Sequence, residues 1–378
     1  MKNAFAVTGA TLLSLTLVTA CGGSGGESSD GGSGAAGAAD CESTAAEAVD
    51  ASRAEVAPFL PSEPVDASEV RGKTVWLIQN SVTPLVTAVT EGMTAAGAKV
   101  GVTVKAVSGE GSIPTIVGAV SQAIAQKADG IVLLAIAPTA VAQQVEEAKA
   151  AGIPVVDTYN SNVSEDLSEQ GFFGHVSADY AEGGKIIADW MMADSGCSMD
   201  AAILGNAALA PHKAQSDAAQ AELETVCGDS CNSQFETLDL PKLATSAGPQ
   251  VQQVVRRNPN IKYVYSNLDG AVTFIAPALQ QAGLNDVKVT SMGGDTASLE
   301  RIRTGDSVQK AVVAIAPQLY QGYAFMDQIM RGMTGADPVE WTLPIRFVDE
   351  SNVGTTDEDI FPQFAGVEDE FATLWGVS

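Results

Sequence analysis

The chain opens on an apolar run from Ala4 to Ala20, preceded by a single Lys2 and followed by a Gly/Ser string without large apolar residues. From about Lys73 the pattern changes to short β-rich apolar runs that alternate with longer segments of helical period. "KTVWLIQ" predicts a strand and "PLVTAVTEGMTAAGA" a helix, with Pro84 in its first turn and Gly97 near its end. "VGVTVKAV" and "IPTIVGAVSQAIAQKA" repeat the pair. In the third unit "DGIVLLA" is a buried strand, "PTAVAQQVEEAKAAG" a helix closed by Gly152, and "IPVVDTY" the next strand. The pattern then restarts, with strands in "AAILGNA", "SQFETLDL", "IKYVYSN", "VKVTSMG" and "VQKAVVAI". Helical stretches such as "LATSAGPQVQQVVRRNP" and "AVTFIAPALQQAG" lie between them. This alternation predicts right-handed βαβ units on mostly parallel sheets covered on both faces. The segment from Lys73 to Ser378 exceeds what one core usually supports, so two α/β lobes with doubly wound parallel sheets are expected.

The opening run is too short and too rich in Ala, Thr and Ser for a membrane span, and with Lys2 before it predicts a cleaved signal peptide over 1–20. Val18-Thr19-Ala20-Cys21 resembles the bacterial lipobox, in which cleavage falls just before a lipid-carrying cysteine. That resemblance implies lipidation at Cys21 and anchoring on the extracytoplasmic face of the cell membrane. Residues 21–40 bury too little to order themselves and are expected to form a flexible tether. Residues 41–72 are an N-terminal extension.

Charge narrows the partners. Lys and Arg total 20 against 46 Asp and Glu, a formal net of -26. Nucleic acid is excluded on that ground, because its binding needs a basic face and the densest basic spot is Arg256-Arg257. With Cys21 assigned to lipid, Cys41, Cys197, Cys227 and Cys231 remain, an even number in an exported chain. Four cysteines allow three pairings. Cys227 with Cys231 is favoured because "CGDSC" can turn back through its glycine, leaving Cys41 with Cys197.

Enzyme chemistry finds little support. His175 and His212 are the two histidines, not spaced as a metal-binding pair, so no metal or other cofactor is expected. There is no GxSxG elbow, and "GEGSIP" lacks the third glycine and the preceding context of a dinucleotide fingerprint.

Five co-linear segments carry a family resemblance: "AIAQKADGIVLLAIAPTAVAQQVEEAKAAGIPVVDTYNS", "GFFGHVSADYAEGGKIIADWM", "SNLDGAVTFIAPALQQAG", "SMGGDTASLERIRTGD" and "WTLPIRFVDESNV". Together they resemble the type I periplasmic binding proteins, the ribose and galactose group that feeds ABC importers. The resemblance runs from about Lys73 to Val353 and explains neither Ser24 to Val70 nor the tail after Gly354, whose "FATLWG" is expected to be a helix packed onto a lobe. It implies lobe 1 over 73–177 with 317–343, lobe 2 over 178–316 with 344–378, and a three-stranded hinge. It implies a monomer that captures a small molecule, a sugar or polyol, between closing lobes and presents it to an ABC permease.

Carried over residue by residue, the family's pocket falls on Thr83, Leu85 and Val86, on Ala135 and Ile136, and on Tyr159 and Asn160 in lobe 1. In lobe 2 it falls on His212 or Lys213 where the family has an arginine, then Asn267 and Asp295, with Ile315 in the place of a glutamine. The aliphatic Leu85 and Val86 stand where sugar binders carry aromatics, which leaves a ligand with an apolar or aromatic face as the alternative. A sensor for a membrane signalling partner shares the same fold. Asn267 and Asp295 each also have a plainer reading as helix caps, before the helices starting near Gly270 and at "TASLERI".

Overall fold

The computed structural model describes residues 33–377; the signal peptide, Cys21 and most of the tether lie outside them. The first described element, α1 (Ser33–Ser52), takes in the last residues assigned to the tether. Four alanines between Ser33 and Asp40 favour helix there, and further on Cys41, Ala45 and Val49 are buried in the main core.

Lobe 1 follows as β1 (Thr74–Gln79), α2 (Pro84–Val100), β2 (Thr103–Ser108), α3 (Ile113–Ala125), β3 (Gly130–Leu134), α4 (Ala142–Ala150), β4 (Val155–Thr158) and β5 (Gly174–Ala178). Lobe 2 contains α5 (Tyr180–Ser195), β6 (Met199–Gly205), α6 (Ala210–Glu222), β7 (Cys231–Thr237), α7 (Leu243–Arg257), β8 (Ile261–Ser266), α8 (Asp269–Gln281), β9 (Lys288–Gly293), α9 (Thr296–Arg303) and β10 (Gln309–Ile315). The chain returns to lobe 1 through α10 (Gln318–Thr334) and β11 (Trp341–Leu343), crosses back as β12 (Ile345–Asp349), and ends in α11 (Val367–Leu374).

Each lobe holds one six-stranded sheet, ordered β11-β5-β4-β3-β1-β2 and β12-β10-β9-β8-β6-β7. The first is parallel throughout; in the second β12 runs antiparallel to β10. β3 is buried along its whole length, as a strand covered by helices on both faces must be. The strand order reverses between β1 and β3 in lobe 1 and between β6 and β8 in lobe 2. These switch points open crevices at the carboxyl ends of the strands.

Three short connections join the lobes, at Ala178 to Tyr180, at Ala316-Pro317 and at Pro344. Two of them are tied directly, the Ala316 amide donating to the Pro344 carbonyl at 2.8 Å.

The segments outside these lobes bridge the same junction. Arg53 at the end of α1 pairs with Asp349 of β12 at 2.6 Å, and the Arg346 guanidinium donates to its carbonyl. A few residues on, the Phe59 carbonyl accepts from the Tyr320 hydroxyl of α10 at 2.7 Å, and its ring meets Trp341 edge-on. The amides of Val65 and Ala67 then donate to the carbonyls of Leu374 and Trp375. α11 itself packs on α10: Trp375 stacks on Tyr323, and its indole donates to Asp327, which also pairs with Arg331. The terminal helix therefore belongs with lobe 1, a correction to the assignment of 344–378 to lobe 2. The reason is aromatic: Tyr320, Tyr323 and Trp341 of lobe 1 offer the apolar surface that Phe371 and Trp375 need.

Candidate ligand-binding cleft

On the lobe 2 side, β8 ends at Ser266 and the next residue, Asn267, folds its amide over the end of β6. This requires Gly205, since a Cβ there would lie 1.8 Å from the Asn267 Oδ1. Ser216 of α6 donates to that oxygen at 2.8 Å, while the Asn267 Nδ2 is buried and has no partner. In the first turn of α6 the His212 Nδ1 accepts the Asn206 amide at 3.1 Å. The ring proton consequently sits on Nε2. Burial pushes the His212 pKa down to about 4, so the ring is neutral near pH 7.

The turn after β9 is held by a residue the sequence reading did not single out. Asp269, buried at the start of α8, accepts from the amides of Gly294 (3.0 Å) and Asp295 (2.6 Å) and from the hydroxyls of Ser291 and Ser298. The turn needs glycine: Gly293 has φ 151 and a Cβ there would come 2.7 Å from the Asp269 Cβ. Asp295 stands at the N-cap position of α9, yet its side chain makes no capping bond. Burial first, and then the charge of Asp269, push the Asp295 pKa up to about 7. Burial raises the Asp269 carboxyl as well, opposed by its four donors.

On the lobe 1 side, β4 runs into Tyr159, a non-glycine residue with φ 65, and Asn160. The Tyr159 ring lies edge-on to Phe325 of α10, and its hydroxyl is buried without a partner, as is the Asn160 Nδ2. Burial raises the Tyr159 phenol well above its ordinary pKa, with smaller contributions from Tyr180 and Asp295. The loop beyond is braced against the first hinge connection: Ser161 donates to the buried Asp157, and the Asn162 Oδ1 accepts the Tyr180 amide at 2.9 Å.

A periplasmic binding protein domain model matches residues 75–337. The chain belongs to the periplasmic binding protein family. Its two-lobed fold is similar to that of solved ABC transporter proteins. One is a sugar transporter subunit from Rhodobacter sphaeroides, 19% identical, with TM-score 0.67 over 75% of this chain and 100% of that one. Another, from Agrobacterium vitis with bound allitol, is 18% identical, with TM-score 0.67 over 75% and 97%. A third, from Mycobacterium smegmatis with bound glycerol, is 20% identical, with TM-score 0.67 over 75% and 98%. No curated protein matches the chain.

Within this periplasmic binding protein the expected pocket residues divide. Tyr159, Asn160, Asn267 and Asp295 sit just past strand ends of the two lobes, and His212 lies in the first turn of α6 beside the end of β6. Others do not join them. Thr83 caps α2, its hydroxyl accepting the Val86 amide at 3.2 Å. Val86 is buried in the main core with Leu85 half-buried against it, and Ile136 is buried in a second core with Trp76 and Ile78. Lys213 is exposed and paired with Asp217 on the surface of α6. Val86 reaches the core from the first turn of α2, whereas Ile136 does so from the loop after β3. The plainer reading also fails for the two acidic and amide candidates, since Leu268, not Asn267, is the N-cap of α8 and Asp295 caps nothing. Asp269 and Ser216 were missed because an acid in a first helical turn and a mid-helix serine carry no distinguishing signal in sequence.

Proposed function

We propose that the protein captures a small uncharged polyhydroxylated molecule, a sugar or polyol, between its two lobes and delivers it to an ABC permease. One observation carries the reading. Three buried polar groups, the Tyr159 hydroxyl and the amide nitrogens of Asn160 and Asn267, lack partners at strand ends of both lobes. Buried polar groups are ordinarily satisfied, and each left unpaired costs about 1–3 kcal/mol, so a bound molecule bearing hydroxyl or carbonyl oxygens would relieve all three.

Charge supports the same class. None of the side chains gathered at these strand ends is a cation, His212 is neutral and Asp295 is an acid, which disfavours carboxylate and phosphate ligands. The alternative of an apolar-faced ligand keeps only the half-buried Leu85, because Val86 and Ile136 are core residues. Bound allitol and glycerol in the similar solved proteins agree with a polyol. Contacts from both lobes favour the closed form by the ligand's differential affinity for it, and closure is what a permease would read. We place the protein outside the cytoplasm as a monomer anchored through lipid on Cys21, with no helix among the described residues long and apolar enough to cross a membrane.

A thermal-shift screen over sugars, polyols, aromatic acids and nucleosides tests this. Stabilisation by neutral polyols or sugars is expected, at about 2.7 kcal/mol for ligand at a hundredfold excess over Kd. Stabilisation confined to aromatic or anionic compounds would overturn it.

A further inference from the structure

The two disulfides, Cys41–Cys197 and Cys227–Cys231, converge at one place although the first closes 156 residues and the second only 4. The sulfurs of Cys41, Cys197 and Cys227 all lie within 4.8 Å of one another, and the Cys227 Sγ is 3.3 Å from the Cys197 carbonyl oxygen. Access is unequal. Cys41, Cys197 and Cys231 are buried, at 5%, 3% and 7% exposure, while Cys227, at the end of a π-turn after α6, is half-buried. A reductant in solution therefore meets Cys227 first, and the long-range bond is shielded from it.

We infer that the cluster is a thiol–disulfide exchange site in which Cys227, once reduced, attacks Cys197 and frees Cys41. A solution dithiol gives two electrons to the Cys227–Cys231 bond, is itself oxidised to a disulfide, and leaves two thiols. Cys227 loses its proton to solvent, and its thiolate forms a bond to the Cys197 sulfur as the Cys41–Cys197 bond breaks. Cys41 departs as a thiolate and takes up a proton. The chain then holds Cys197–Cys227 with Cys41 and Cys231 as thiols, by the nucleophilic route that all such exchanges follow. What changes is the hold on α1. The Cys41–Cys197 bond is the covalent link between that helix and the end of α5 in lobe 2, and the chain after α1 goes on to lobe 1 at Phe59 and Tyr320. Exchange thus removes the covalent tie between the extension and lobe 2, leaving the Arg53–Asp349 pair and core packing to hold α1, and keeps lobe 2 cross-linked within itself.

Two variants test the site on the full chain, with thiols alkylated under denaturing conditions and linkages read by non-reduced peptide mapping. Cys231→Ser leaves Cys227 as a thiol without any reductant. In that variant a Cys197–Cys227 linkage with alkylated Cys41 is expected in at least part of the protein. Cys227→Ser removes the relay, so Cys41–Cys197 should survive a dithiol concentration that rearranges the wild type. The proposal is overturned by intact Cys41–Cys197 with fully alkylated Cys227 in Cys231→Ser, by a Cys41–Cys227 linkage instead, or by equal loss of Cys41–Cys197 in Cys227→Ser and wild type. Circular dichroism of each variant before treatment separates exchange from misfolding.

Discussion

Burial raises the phenol of Tyr159, at the end of a lobe 1 strand, and the charge of Asp295, after a lobe 2 strand, adds a smaller push in the same direction. Among the described residues neither side chain makes a hydrogen bond: the Tyr159 hydroxyl is an orphan and the partly exposed Asp295 caps nothing. A ligand that bonds polar groups of both lobes favours the closed form by its differential affinity for it.

Removing the orphan should separate binding from folding. Tyr159→Phe keeps the ring against Phe325 and deletes a buried hydroxyl without a partner. Unliganded stability is expected to hold or rise, since replacing such a group by an apolar one avoids its desolvation cost. Affinity for the ligand found in the screen should fall by up to roughly tenfold, the worth of a neutral hydrogen bond. Calorimetry reads the second and thermal denaturation the first; a destabilised variant with unchanged affinity would make Tyr159 a structural residue.

Asp295→Asn retains size and polarity and removes the charge. Because the carboxyl caps nothing and is protonated well below pH 7, the melting temperature without ligand should stay near that of wild type at about pH 5. A charge-assisted bond to ligand contributes about 1.5–3 kcal/mol, so affinity is expected to drop about ten- to more than a hundredfold. Binding as tight as wild type would remove Asp295 from the site. Asp269→Ala should do worse on both counts, because it releases the two amides and two hydroxyls that hold the turn.

The raised pKa of Asp295, about 7, sets a pH dependence. Between the ordinary value of 3.8 and about 7 the folded state holds a proton that the unfolded state has released, so this group's contribution to stability falls as pH rises through that window and is level above it. His212, lowered to about 4, acts in the opposite direction between about 4 and 6.5. Comparison with Asp295→Asn isolates the carboxyl: wild type should gain stability relative to the variant as pH drops from 7.5 to about 4.5. If a ligand hydroxyl donates to the ionised carboxyl, wild-type affinity rises with pH through 7. A constant gap between the two proteins at all pH values would contradict the assignment.

The terminal helix is expected to be indispensable to lobe 1. Trp375 is fully buried, stacked on Tyr323 and bonded to Asp327. Trp375→Ala should cost about 3–5 kcal/mol, read as a lowered denaturation midpoint. If α11 were an appendage of lobe 2 or of nothing, the midpoint would scarcely move.

Much of the fold was legible in order of residues. Period-two and period-3.6 runs depend only on which face of an element is buried, so they announced both mostly parallel sheets and their helices. Pro84 in its first turn, Gly152 and "CGDSC" mark local geometry, and local geometry is readable locally. The site was legible in part. Tyr159, Asn160, His212, Asn267 and Asp295 were expected there because the resemblance to type I periplasmic binding proteins carried the family's pocket onto them.

What only the tertiary structure decided is which side chains turn into that crevice and which turn away. Val86 and Ile136 could have faced ligand or core, and the sheet beneath them took both. Lys213 could have reached the cleft, but one step along α6 rotates a side chain by about 100°, toward Asp217 and solvent. Asp269 shows no signal in sequence because its four donors come from segments up to 29 residues away. The place of α11 was likewise undecidable locally. A short amphipathic helix states that it must be covered, and only the aromatic surface of Tyr320, Tyr323 and Trp341, assembled from distant parts of the chain, says by what.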